Sequence, residues 1–345
     1  MTRRFTSSPL EPYDRGCEFG QALRTEILST VDGYRRLFRE RGATEERIDE
    51  LGTAALIRTA DWAQELADEL WGIAAGTGLA VSTVAAVNAR TEILAALGPP
   101  GGRGECSTVV ADGVAVQNWD WYATMAGNWL EWTIPFPDGR RVTTVTEYGM
   151  LGKIGINDRG VGTLFNILHH RRDGDGMGVP VHMVARRILD TADSVEDGLA
   201  VARSVRYSAS TSISIVDGAG AAMVEVWPGG VDLVEPDKFG RLLRTNHFLT
   251  ARAAPEDDWA AYGEDTMRRH EELRRRLDGP TPVTLEAAFD ALCDGTSGLC
   301  CHPGPTEPHA TLATVALDLP GRTLRVSDGL PCLAQEFRTE PLVSP

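Results

Sequence analysis

No apolar run in this chain of 345 residues approaches the length of a membrane span. The start, Met1-Thr2-Arg3-Arg4-Phe5-Thr6-Ser7-Ser8-Pro9, has two basic residues with no apolar stretch behind them, so a secretory signal is not expected. Positive charge is also in short supply. Thirty-four Lys and Arg against 49 Asp and Glu leave a formal net charge of −15, which argues against a nucleic-acid partner and against a polybasic membrane patch. Cysteine is sparse: Cys17, Cys106, Cys293, Cys300, Cys301 and Cys332 are irregularly spaced and fit reduced thiols in a cytoplasmic protein better than a disulfide framework. The glycines between Gly152 and Gly162 are followed by no Gly-Lys-Ser/Thr triplet, so a phosphate loop is absent. Cys300-Cys301-His302, even with Cys293, lacks the paired spacing of structural zinc sites, and no metal is expected. There is no internal repeat and no low-complexity tract.

What is present divides at one place. From about Gly16 to Ala96 apolar residues recur three and four apart, as at Ile48, Leu51, Ala55 and Leu56 and then Trp62, Leu66, Leu70 and Ile73, which predicts helices. Ser82 and Thr83 suit the start of another. The segment Gly98-Pro99-Pro100-Gly101-Gly102-Arg103-Gly104 cannot continue a helix and reads as an exposed connection. Beyond it the pattern changes to short alternating runs at 107–110, 114–118, 142–148, 153–157 and 162–166. Turns such as Asp112-Gly113, Asp138-Gly139 and Asp158-Arg159-Gly160 separate them, as in an antiparallel sheet. Helices are expected near 179–189 and 194–205, strands at 212–216, 222–227 and 231–234, helices over 264–277 and 285–294, and a last strand pair at 310–319 and 323–327. Strands, then helices, then strands fit a layered α+β fold.

Cys106 stands directly after the connection and heads a β-branched run. A thiol with an ordinary pKa of about 8.5 is mostly protonated at neutral pH, so a catalytic cysteine needs a base or a cation beside it. No histidine is near it in sequence. Scission of the Glu105–Cys106 bond would supply a base, because the freed α-amine has an ordinary pKa of roughly 7.7 to 8.0. The same cysteine would be equally at home as a buried structural thiol. Asp120 shares a strand face with Asn118 and is either a site carboxylate or a hairpin turn group. Trp119, Trp121, Tyr122, Trp129, Trp132 and Phe136 crowd the next stretch. They are either core or an apolar acyl pocket, with Trp119, Trp121 and Tyr122 as the pocket candidates.

Taken in order, Glu105 to Trp121, the stretch from Gly152-Lys153-Ile154-Gly155-Ile156-Asn157 to Asn166, and Thr245-Asn246-His247 resemble the acyl-coenzyme A:6-aminopenicillanic acid acyltransferase family of N-terminal-nucleophile hydrolases. Arg15-Gly16 with Gly20, and Asn88-Ala89-Arg90-Thr91-Glu92, resemble that family's propeptide, so the likeness spans nearly the whole chain. The resemblance implies an αββα sandwich in one compact unit. Residues 1–105 would be a mostly helical propeptide or small chain and 106–345 the catalytic large chain, with self-cleavage between Glu105 and Cys106. It implies Cys106 as nucleophile, Asp120 as the carboxylate that holds its α-amino group, and Asn246 as oxyanion donor. A looser likeness to choloylglycine-type hydrolases adds Asn166 as a second donor. The implied substrate is a small N-acyl amide or an acyl thioester. No cofactor is implied, and a coenzyme A thioester is a candidate co-substrate. The implied partner is its own cleaved small chain, with a further oligomer left open.

One departure concerns an arginine. The family pattern has a Ser-Arg pair shortly before an Ala-Thr-Leu strand, whereas this chain has Glu307-Pro308-His309 before Ala310-Thr311-Leu312. Arg244, Arg322 and His309 are the candidates to replace it. Two other readings also stay open. One is an unprocessed relative that binds a ligand without catalysis; the other is a conventional Cys-His hydrolase that uses His169, His247 or His309 as base.

Overall fold

The computed structural model describes residues 3–98, 106–258, 265–305, 307–333 and 338–341. Glu105 and the connection from Pro99 onward lie outside the described residues. The chain opens with strand β1 (Arg3–Thr6) and six helices: α1 (Pro12–Ala22), α2 (Arg24–Glu40), α3 (Glu45–Trp62), α4 (Gln64–Thr77), α5 (Val81–Asn88) and α6 (Arg90–Ala96). Helix α5 begins at Val81, so Ser82 and Thr83 fall inside its first turn and do not cap it. The Ser82 hydroxyl is drawn instead to Asp49 on α3.

Helices α1 and α4 approach so closely that glycine is required at their crossing. A Cβ on Gly16 would lie 2.2 Å from the Glu69 carbonyl oxygen, and one on Gly72 would lie 2.1 Å from that of Tyr13. No side chain fits at such distances. The Arg15-Gly16 pair, with Gly20, is therefore a packing motif. It also seats Arg15 on the buried Glu69 carboxylate at 2.7 Å, which Arg186 shares at 2.9 Å.

Beyond the connection come β2 (Ser107–Ala111), β3 (Val114–Tyr122), β4 (Trp129–Pro135), β5 (Arg141–Glu147), β6 (Ile154–Asn157) and β7 (Gly162–Ile167). Helices α7 (Val181–Thr191) and α8 (Val195–Arg203) follow, then β8 (Thr211–Val216), β9 (Ala221–Trp227), β10 (Gly230–Leu233) and β11 (Leu242–Arg244). The chain continues with α9 (Asp265–Arg276) and α10 (Leu285–Leu292), and ends with β12 (His309–Asp318), β13 (Thr323–Asp328) and β14 (Arg338–Pro341). One sheet has the order β1-β4-β5-β6-β7-β8-β9-β10, the other β11-β2-β3-β12-β13-β14. Among the described residues every strand pairing is antiparallel except β1 on β4.

The sheets face each other, with β2 and β3 over β7 and with β12 and β13 over β6. Helices α7 and α8 cover the outer face of the larger sheet, and α9 and α10 that of the smaller. These four layers are an αββα sandwich. The pleat sorts the residues of β2: Cys106 and Val110 join the core between the sheets, while Val109 and Ala111 join the core under α9 and α10. Four strands, β1, β4, β11 and β14, are additional to those the sequence pattern predicts. Both faces of β4 are largely buried, so Trp129-Leu130-Glu131-Trp132 shows no clean alternation. No helix among the described residues is long and apolar enough to cross a membrane.

Candidate active site

The Asp112-Gly113 turn aligns the site. Asp112 and Gly113 have φ of 50° and 82°, as a two-residue type I′ hairpin demands. The resulting register puts Ser107 opposite Asn118. Cys106, one residue earlier, lies beside the following residues of β3, with its Sγ 3.7 Å from the Asp120 carbonyl oxygen. The Asp120 side chain points the other way, toward the helical layer, where Oδ1 accepts from the Thr311 hydroxyl at 2.6 Å. A register shift in β12 between Thr311 and Ala313 sets that hydroxyl against the carboxylate.

Two further side chains converge on the backbone of Cys106, and a third joins them through Arg269. Asn166, near the end of β7, donates from Nδ2 to the Cys106 carbonyl at 2.9 Å and accepts from the Thr108 hydroxyl at 2.7 Å. Arg269 on α9 reaches the same carbonyl at 3.4 Å and Ser107 Oγ at 3.0 Å. Its other terminal nitrogen donates to Asn246 Oδ1 at 3.1 Å, and its Nε pairs with Asp265 at 2.8 Å. Asn246, just beyond β11, is held further by donation from Nδ2 to the Ile167 carbonyl at 2.9 Å. Cys106, Asp120, Asn166 and Asn246 thus surround one strand terminus, all of them buried.

Arg269, which the sequence analysis did not single out, is the arginine that the structure places beside Cys106. Arg244 is spent on buried Glu225, Arg322 donates to the Asp158 carbonyl at the surface, and His309 pairs with Glu307 at 3.1 Å. The signal was present in α9: Thr266, Arg269 and Leu273 lie three and four residues apart and form its buried face. In a helix with so many arginines, one on the apolar stripe is the one held by the fold.

A buried ionic group lies behind the tryptophans. Glu147 pairs with Arg90 at 3.1 Å and Lys153 at 3.4 Å, and the Tyr34 hydroxyl donates to it. Burial pushes the Lys153 ammonium down to about 7, against the pull of Glu147. Lys153 sits 3.6 Å over the Trp119 ring, and Arg90 3.9 Å over that of Trp121. The residues resembling a propeptide motif make these ties: Asn88 donates to the Gly149 carbonyl at 2.8 Å, and Glu92 accepts from the Val181 N–H at 2.8 Å.

Trp121 and Tyr122 line a narrow cleft of about 20 Å³ together with Leu94, Ala95, Ile167 and His309. Trp119 does not line it. Its ring packs edge-on against Trp129, and Trp132 stacks on Phe19, so those aromatics are core. Gln117 and Asn118 are structural as well: Gln117 clasps the backbone of Phe165, and Asn118 holds the Leu292 and Leu299 carbonyls. Wider grooves elsewhere, such as one of about 420 Å³ beside β10 and β11, contain none of the expected site residues.

A sequence profile described as acyl-coenzyme A:6-aminopenicillanic acid acyl-transferase matches residues 109–331, well over half of the chain. The chain belongs to this family. Its members are enzymes of acyl transfer. A 40 kDa form of acyl-coenzyme A:6-aminopenicillanic-acid-acyltransferase from Emericella nidulans is 28% identical over 341 residues, which is 93% of this chain and 91% of that protein. Among solved structures, a penicillin V acylase from Agrobacterium tumefaciens matches with a TM-score of 0.46 at 14% identity, over 69% of this chain and 86% of that one. An N-acylethanolamine-hydrolyzing acid amidase ortholog from Caenorhabditis elegans gives 0.45 at 12%, over 63% and 95%.

Proposed function

We propose that the chain is a self-processing cysteine amide hydrolase or acyltransferase, acting on a small N-acyl amide or acyl thioester through an acyl-enzyme at Cys106. The observation that carries this reading is the convergence of Asn166, Arg269 and Asn246 on the start of β2, with Asp120 alongside. In the first reaction the Cys106 sulfur attacks the Glu105 carbonyl carbon. The C–N bond breaks, the thiol proton passes to the leaving nitrogen, and water hydrolyses the resulting thioester. The products are a chain ending at Glu105 and a chain beginning with a free amine at Cys106.

That amine then accepts the thiol proton for attack on substrate. Asp120 is the carboxylate assigned to orient it. The oxyanion falls to Asn246, whose NH2 group has two donors, and such a donor contributes about 3 kcal/mol to the transition state. The amine returns the proton to the leaving group, and water or a second amine takes the acyl group. His169 and His247 are poor substitutes as base, since burial pushes each down to about 3.

The cleft at Trp121 and Tyr122 has room for little more than one water, which needs roughly 10–15 Å³. Leu94 and Ala95, near the end of α6, form part of its wall. The test is to quench turnover of a panel of small N-acyl amides and acyl thioesters and map the adduct by mass. An acyl group on the peptide that begins at Cys106 is expected. Turnover that persists in Cys106→Ala would refute the assignment.

A further inference from the structure

The fold gathers a second set of thiols away from Cys106. Cys300 Sγ lies 3.2 Å from Cys332 Sγ, and His302 Nε2 lies 3.5 Å from the first and 3.2 Å from the second. Cys300 is buried, and His302 and Cys332 are exposed. The sequence spacing hides this group. Two ligands come from the loop after α10, and the third, thirty residues later, comes from a short 3-10 turn (Pro331–Leu333) beyond β13.

We propose that Cys300, His302 and Cys332 bind a thiolate-preferring divalent transition metal, with zinc as the best match. A tetrahedral ion about 2.3 Å from sulfur and about 2.0–2.1 Å from nitrogen has ligand edges of roughly 3.4–3.8 Å. The Cys300–His302 edge of 3.5 Å lies within this range, the other two at 3.2 Å are slightly tighter, and a small outward shift of the exposed side chains accommodates the ion. The fourth position faces solvent and takes water. Two sulfurs and an imidazole without a carboxylate favour zinc over magnesium or calcium. A simple disulfide would account for the two sulfurs but not for the imidazole nitrogen directed at both.

The site adjoins the catalytic layer by a short path. The Cys301 N–H donates to the Thr311 hydroxyl at 2.9 Å, the Thr311 N–H donates to the Cys301 carbonyl at 3.0 Å, and the Thr311 hydroxyl donates to Asp120. An ion held by the residues on either side of Cys301 would fix this relay. That consequence rests on the role proposed for Asp120; the metal site does not.

The test uses the reduced full-length protein titrated with cobalt(II). Binding of about one equivalent is expected, with a thiolate-to-cobalt charge-transfer band and the visible bands of a tetrahedral ion, both erased by zinc. Cys332→Ser should lose the charge-transfer signature with an unchanged melting temperature, Cys17→Ser should keep it, and His302→Ala should weaken uptake about tenfold or more. Absence of the band in the wild-type protein, or the same band in Cys332→Ser, overturns the proposal.

Discussion

Arg269 bridges three groups that must hold still together: the Cys106 carbonyl, Ser107 and Asn246. Arg269→Gln should lower kcat roughly 10²-fold with a smaller change in KM, because it misplaces the nucleophile and the oxyanion donor together. Lysine should rescue little of this, since one ammonium cannot span Asp265, Ser107 and Asn246. Steady-state kinetics of the three proteins checks both statements. Glu92 makes a separate prediction. Burial pushes its carboxyl from 4.5 up to about 7, so the folded state binds a proton that the unfolded state has released. The associated stability is fully present below about pH 4.5 and is lost as pH rises through about 7, on the order of 3 kcal/mol. Urea melts should show wild type losing ground to Glu92→Gln across that window; a constant difference would contradict the assignment. That Cys106, Asp120, Asn166 and Asn246 lie near one another was legible in the sequence because the family pattern fixes their order along the chain. Arg269 was not, because it comes from a helix whose other arginines sit on a solvated face.

Elements make their own tests. Helix α4 crosses α1 at Gly72, where an added Cβ meets the Tyr13 carbonyl oxygen at 2.1 Å. Gly72→Ala should cost about 1–3 kcal/mol or more, although alanine is the better helix former, and thermal melts decide which effect wins. The hairpin β2–β3 was legible from Asp112-Gly113 alone, because few dipeptides tolerate two successive positive φ values. Strand β4 was not, since its buried tryptophans serve both faces, and β11 is only three residues long. The aromatic run after Cys106 divides between core and cleft wall, and Trp119 and Trp121 part in this way although they share one face of β3. Sequence alternation alone could not choose between them.

At the scale of the whole molecule, residues 3–98 are tied to the sandwich by fixed charges and by a strand. β1 pairs with β4, Arg15 and Arg186 share Glu69, and Arg90 pairs with Glu147. A cut at Glu105–Cys106 therefore leaves a small chain that stays bound under native conditions and separates only in denaturant. The central claim is the cut itself, and intact-mass measurement of the purified protein under denaturing conditions tests it most directly. Two species are predicted, one ending at Glu105 and one beginning at Cys106, with Cys106→Ala giving a single full-length mass. A single uncut, catalytically active wild-type chain would contradict the account.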